Sequence, residues 1–310
     1  MAARKLTVRN AVIAVAAGGT LLAGTPLVAR AVTAGDDPPP TVSAKGATLV
    51  NAKGGKSLFG KNVDTARPMA STAKIMVASV VLDTRNVDLD RKVPVRQEYR
   101  DYVTEHHAST ADLQTGDKVT VRQLLYASLL PSGADAAYAL ADAFGTGGTP
   151  AERVRSFIGK MNLKARQLHL KKTRFGTFDG SSKDFSTPAE LAKLTRHALR
   201  NSTFRKVVRT KKYETEAPAA NGRTRYYTWE STNRLLGAYD GAIGIKTGTT
   251  EKAGKCLVFA ATRNGKTLVG TVLNSKDRYK DAAKLLDHGF GSDSAKNLDI
   301  RDEPTDARQD

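Results

Sequence analysis

Residues 75–82 are apolar on nearly every side of a helical wheel: Ile75, Met76, Val77, Ala78, Val80, Val81 and Leu82. That pattern predicts a buried helix, since a surface helix keeps a polar face. The run opens at Ser71 and fades near Asp83, Thr84, Arg85 and Asn86. Before it, residues 47–50 and 57–59 flank the glycine-bearing stretch 51–56, a hairpin pattern. Residues 87–121 are polar, with Gly116-Asp117 as a turn, and read as irregular chain or short strands. Residues 121–144 are helical in pattern but broken at Leu130-Pro131-Ser132-Gly133. Proline inside a helix loses a hydrogen bond, so two helices meeting at a corner are expected. Thr149-Pro150 and Thr187-Pro188 are helix-start signals. Beyond Lys212, the aromatic residues Tyr213, Tyr226, Tyr227 and Trp229 suggest strand or extended loop. Three strands follow at 241–246, 255–262 and 267–274, the last two joined by the hairpin dipeptide Asn264-Gly265. A final helix over 280–288 is expected to stop at Gly289, ahead of a polar, disordered tail over 291–310. Strands at both ends with helices between predict a mixed α/β fold. One sheet is drawn from both termini, and a mainly helical subdomain is inserted at about 87–210.

Composition adds a compartment and a partner. The chain has 310 residues, 40% hydrophobic and 26% charged, which is a globular balance. Arg4, Lys5 and Arg9 precede an apolar stretch over 11–28, and the small-residue patterns Ala29-Arg30-Ala31 and Val32-Thr33-Ala34 follow. Residues 1–34 therefore read as an export signal, with an uncleaved membrane anchor as the alternative. Either way, the remainder is exported across the cytoplasmic membrane, to be secreted or held at the wall or membrane. Residues 35–41 form a proline-rich linker. The net charge of +18 suits a polyanionic cell envelope. With aromatics at only 6% and no zinc-finger spacing, nucleic acid is not the expected partner. The single cysteine, Cys256, allows no intrachain disulfide and lies in an apolar run that reads as a buried strand.

The chemistry starts at Ser71, the one serine with a lysine three residues on, Lys74. At helical spacing the two side chains share a face. Burial disfavours the charged amine, and a neutral amine beside a hydroxyl is a base beside a nucleophile. Alone, the pair reads equally as a capped helix with a snorkelling lysine. Two further patterns join it. Ser132-Gly133-Ala134 occupies the helix corner, where a hydroxyl is exposed. Lys246-Thr247-Gly248-Thr249, containing the one K-T-G of the chain, ends the apolar strand 242–245. A lysine and two hydroxyls at a strand end form a carboxylate receptor, and glycine lets a ligand backbone lie close.

S-x-x-K, then a serine-glycine corner, then K-T-G resembles the motif set of penicillin-binding proteins and serine β-lactamases. The flanking stretches NRLLGAYDGAIGIKTG, FIGKMNLKARQLHL and LLYASLLPSGADAAYALA resemble the low-molecular-mass D-alanyl-D-alanine carboxypeptidases. They are most similar to single-domain secreted DD-transpeptidases and carboxypeptidases of actinomycetes. The resemblance spans 42–290 and implies the β-lactamase/DD-transpeptidase-like fold, an antiparallel sheet flanked by helices. It implies that Ser71 attacks the penultimate D-Ala carbonyl of a peptidoglycan stem peptide ending in D-Ala-D-Ala, with Lys74 as general base and Ser132 as proton relay. Lys246, Thr247, Gly248 and Thr249 would bind substrate, and the backbone N–H groups of Ser71 and Thr249 would form the oxyanion hole. β-Lactams would acylate Ser71, with no cofactor or metal required, in a monomer lacking the second domain and amphipathic anchor of larger members.

Ala134 departs from the pattern, since asparagine is usual there. Lys74 must then be oriented by Asp135, by solvent or by Ser132 alone. Two other readings stay open. A class A-like β-lactamase would need a glutamate with a nearby asparagine, and no E-x-x-x-N lies between Ser132 and Lys246. A non-catalytic β-lactam or wall-peptide sensor would tolerate Ala134. A Ser-His-Asp hydrolase lacks its G-x-S-x-G elbow, and His106-His107 lacks the H-E-x-x-H of a metalloprotease.

Overall fold

The strands that carry the longest apolar runs make one sheet. The computed structural model describes residues 38–181 and 183–300. In chain order, β1 (Gly46–Asn51), β2 (Ser57–Lys61) and the short β3 (Arg67–Pro68) lead to α1 (Lys74–Leu82). The middle comprises β4 (Lys92–Pro94), α2 (Gln97–Glu105), β5 (Lys118–Thr120), α3 (Val121–Leu129), α4 (Ala134–Phe144) and α5 (Pro150–Gln167), then β6 (Phe185–Ser186), α6 (Pro188–Ala198) and α7 (Ser202–Val208). The last part comprises β7 (Lys212–Pro218), β8 (Thr224–Glu230), β9 (Ala242–Thr250), β10 (Gly254–Arg263), β11 (Lys266–Ser275) and α8 (Arg278–Phe290).

The five-stranded sheet has the order β2-β1-β11-β10-β9, antiparallel throughout. The N-terminal hairpin joins the C-terminal meander through β1 and β11, from Gly46 opposite Leu273 to Asn51 opposite Leu268. This is the predicted sheet built from both ends, and the mixed α/β class stands. Both faces are covered, which is why β10 reads as an unbroken apolar run. Its alternate residues divide cleanly. Cys256, Val258 and Ala260 face the core formed with the helical region, while Leu257, Phe259 and Ala261 face the core beneath α8. Gly270 makes room for the Phe259 ring, since a Cβ there would lie 2.2 Å from Phe259 Cζ. Cys256 is fully buried, and that burial pushes its thiol up to about 11.

Every residue of α1 is buried, packed against α3 through α7. Each large side chain so enclosed contributes about 1.5–3 kcal/mol. The corner predicted at Pro131 separates α3 from α4. Capping boxes at Thr120/Gln123 and Thr149/Glu152 start α3 and α5.

Several sequence expectations are corrected. The α-helix begins at Lys74, not Ser71; Ala70–Ala73 forms a 3₁₀ turn, and no side chain caps it. Residues 87–121 contain α2 as well as the short strands. Only Tyr99 of that helix is buried, so it carries almost no periodic signal. The last helix runs to Phe290 and ends at Gly291, whose φ of 69° is left-handed. Gly289 lies inside it, where a Cβ would meet Leu268 and Leu49 at 2.4 and 2.7 Å. Of the stretch expected as a tail over 291–310, residues 291–300 are described and carry one short element. Ser292 Oγ and the Ala295 N–H donate to Asp287, a 3₁₀ turn forms at Ser294–Asn297, and Leu298 and Ile300 pack on the core beneath α8. The expected export signal over 1–34 and residues 301–310 lie outside the described residues. Among the described residues, no helix is long and apolar enough to cross a membrane.

Candidate active site

The 3₁₀ turn places Ser71 at the tip of the buried helix. Thr72 locks the turn by donating Oγ1 to the Met69 carbonyl at 2.7 Å, and the Lys74 N–H points back to the Ser71 and Thr72 carbonyls. Two glycines let neighbouring segments close on it. A Cβ on Gly248 of β9 would lie 2.9 Å from the Ser71 nitrogen and 3.0 Å from Ala70 Cβ. On Gly180, with φ of +90°, it would lie 1.9 Å from the Ala70 carbonyl oxygen. Gly180→Ala is therefore expected to displace the turn, because neither backbone can yield cheaply. Thermal unfolding should register a loss of about 1–3 kcal/mol, with slower acylation of Ser71. Unchanged stability and acylation would show that the turn does not depend on this approach.

Lys74, only 1% exposed, donates Nζ to Ser71 Oγ at 2.7 Å and to Ser132 Oγ at 3.4 Å. The corner does not expose its hydroxyl as expected: Ser132 is wholly buried there, between α3 and α4, with a positive φ of 68°. The corner thus brings the second hydroxyl to the amine, as the first two motifs required. Asp135 has a different task from the one considered for it. Its carboxylate accepts from the N–H groups of Ala111 (2.9 Å), Leu113 (3.0 Å) and Ala136 (2.9 Å) and from Thr110 Oγ1 (2.9 Å). It fastens residues 110–113 to the corner. Burial pushes its carboxyl above the ordinary range, against these four bonds, which favour the anion. Gly133 is needed here too, since its Cβ would meet Asp135 Oδ1 at 2.6 Å and Ala111 Cβ at 2.7 Å.

The third motif comes from β9, the edge strand of the sheet. Lys246 is 1% exposed, and its Nζ donates to the Thr247 carbonyl at 3.1 Å. Thr247 Oγ1 lies 2.6 Å from Thr232 Oγ1, and the Thr232 carbonyl accepts from Tyr279 OH at 2.7 Å. Gly248 reaches the Ser71 turn, as described. Thr249 pairs with Lys255 of β10 and accepts at Oγ1 from Arg278 at 3.0 Å.

Arg278 was not singled out from the sequence. It stands in the first turn of α8, 5% exposed, and its Nη1 also donates to the carbonyls of Gly248 and Cys256 at 3.1 and 3.2 Å. A guanidinium thereby braces the end of the strand that carries Lys246 and Thr249. Nothing in the sequence distinguishes it among 49 lysines and arginines; only its burial does.

Comparison with known proteins gives the same address. Residues 32–277 match the family described as D-alanyl-D-alanine carboxypeptidase, peptidase S11. The D-alanyl-D-alanine carboxypeptidase of Streptomyces sp. strain K15 is 48% identical over 291 residues, covering 92% of this chain and 99% of that protein. A Mycobacterium tuberculosis D-alanyl-D-alanine carboxypeptidase is 33% identical, over 83% of this chain and 86% of that one. The crystal structure of the Streptomyces K15 DD-transpeptidase superimposes with a TM-score of 0.81 at 50% identity, covering 82% of this chain and 100% of that one. The crystal structure of a Mycobacterium tuberculosis D-alanyl-D-alanine carboxypeptidase does so at 0.72 and 31% identity, over 84% and 96%. With its serine, lysine and K-T-G strand gathered around one buried turn, this chain belongs to the D-alanyl-D-alanine carboxypeptidase family.

Proposed function

We propose that this protein is a serine-type D-Ala-D-Ala carboxypeptidase and transpeptidase that acts on peptidoglycan stem peptides through an acyl-enzyme at Ser71. The observation that carries the reading is the buried Lys74 amine, 2.7 Å from Ser71 Oγ and 3.4 Å from Ser132 Oγ. A neutral amine at that distance is placed to take the hydroxyl proton as Oγ attacks the carbonyl of the penultimate D-Ala. The oxyanion so formed would be held by the N–H groups of Ser71 and Thr249, each such donor being worth about 3–4 kcal/mol. Collapse breaks the peptide bond. Ser132 relays the proton from Lys74 to the departing D-Ala amine, leaving an ester on Ser71. Lys246, Thr247 and Thr249 hold the terminal carboxylate of the donor, and Gly248 lets the Ser71 turn close against the strand that presents them. Water then releases a shortened peptide, or an amine forms a cross-link.

β-Lactams enter as donor mimics and acylate the same oxygen. The basic charge and the export pattern of residues 1–34 support work outside the membrane, against an anionic envelope. The test has two arms. Intact-protein mass spectrometry with benzylpenicillin should show one covalent adduct, released far more slowly than the turnover of about 1 s⁻¹ at which an ordinary enzyme range begins. Faster release would replace the peptidase reading with a β-lactamase, and no adduct would leave a non-catalytic sensor. A D-Ala-D-Ala donor supplied with and without a glycine-type amine should divide between hydrolysis and amide formation. That ratio measures how carboxypeptidase and transpeptidase activity are balanced.

A further inference from the structure

A second concave site lies at the opposite end of β9 from the K-T-G motif. Its space of about 480 Å³ is bounded by the end of α6, by α7, by the start of β9, by the end of β10 and by the start of β11. Arg196, Arg200, Arg205 and Arg209 line it, and no acidic side chain does. From Lys193 to Lys212 the chain contains no aspartate or glutamate at all.

Two of these arginines are held in place by backbone. Arg196 donates Nε to the Ala52 carbonyl at 2.9 Å and lies flat over Gly55, where a Cβ would come within 2.2 Å of its Nη1. Arg205 donates Nη1 to the carbonyls of Leu199 and Arg200 at 2.7 and 2.9 Å, closing the C-terminus of α6. Arg200 and Arg209, like Arg205, are exposed. None of the four forms an ion pair with a carboxylate among the described residues. Like charges gathered around a hollow repel one another and lower stability unless an anion joins them. Guanidinium forks match phosphate oxygens bidentately. Beside them, Thr262 and Thr267, whose hydroxyls lie 2.9 Å apart, offer polar contacts to the carbon chain between phosphates.

We propose that this arginine-lined hollow binds a phosphodiester of an anionic envelope polymer and tethers the protein where its substrate is. The hollow admits one phosphate with its polyol, and the exposed arginines meet the phosphates on either side. It has no aromatic side chain on which a base could stack, which disfavours single-stranded nucleic acid. The site does not depend on the chemistry at Ser71. Ile243 lines it, and Lys246 lies three residues further along the strand, about 10 Å away. A polymer held there lies near the active site without entering it.

The probe is fluorescent poly(glycerol phosphate), titrated by anisotropy at physiological ionic strength against the full chain. Arg200→Gln with Arg209→Gln is compared with Lys118→Gln and Lys171→Gln, exposed residues elsewhere that remove the same charge. The arginine pair should weaken binding about tenfold, more than loss of diffuse surface charge explains, and the lysine pair less than about threefold. Acylation by benzylpenicillin should be the same in all forms, so a failure of the catalytic reading would appear separately. Phosphatidylglycerol vesicles form a second arm. If they lose binding in the arginine pair while the polymer does not, the phosphodiester belongs to a lipid headgroup. Equal losses from both pairs, or an oligonucleotide bound more tightly than the polymer, would overturn the proposal.

Discussion

Ser71→Ala will form no covalent adduct with benzylpenicillin, and its release of D-Ala from a stem peptide will fall by at least about 10⁴-fold, the scale of removing a nucleophile that acts as a unit with its base. The substitution removes one oxygen and adds nothing. Ser71 does not cap α1, since no side chain does, so the helix loses no terminal hydrogen bond. The turn stays locked by Thr72 Oγ1 on the Met69 carbonyl. Lys74 keeps its contact with Ser132. The melting temperature should therefore stay near that of the parent while the chemistry disappears. An adduct that survives would place the nucleophile elsewhere, and a protein that melts much earlier would make Ser71 a structural residue first. Intact mass and thermal unfolding on the same sample separate these outcomes.

Lys74→Gln will slow acylation by about 10²–10⁴-fold, the span covered by a positioned general base. Glutamine is slightly shorter and can still hydrogen-bond to Ser71 and Ser132, but its amide cannot take a proton from Oγ. The residue is 1% exposed, and glutamine fills most of its space without burying a charge, so thermal unfolding of the same sample checks that the fold is kept. The effect should fall on the rate constant for acylation rather than on reversible binding of the β-lactam, because Lys246, Thr247 and Thr249 are untouched. Stopped-flow kinetics over a range of β-lactam concentrations separates the two. Acylation within tenfold of the parent would show that another base serves Ser71.

How far the residues announced their structure depended on whether a signal was local. The strands of the sheet, the Pro131 corner and the capped helices rest on short apolar runs bounded by turn residues, a missing N–H and threonine caps, all carried within a few neighbouring residues. Ser71, Lys74 and the K-T-G stretch were visible for the same reason. What stayed hidden depends on distant partners. α2 buries a single residue, so its helical period has almost no apolar trace. Asp135 could have served Lys74; three of the four donors that hold it belong to the loop 110–113, which no spacing brings to it. Gly180 resembles any loop glycine until its contact with Ala70 is seen. Arg278 needed β9, β10 and α8 in place before its role could be read.

The pairing of β1 with β11 also sets a timetable. Val50 lies opposite Val269, so the hairpin made first has no partner until nearly the whole chain exists. Such a distant contact must overcome its loop-closure entropy before it brings any reward, and topologies of this kind fold slowly. A nascent chain therefore has a long interval in which its sheet is incomplete. Gly248, which closes on the Ser71 turn, sits on a strand that takes its place during the same late event. Ser71, Lys74 and the K-T-G strand come together only when the two ends of the chain meet, so the site is among the last parts of the molecule to be assembled.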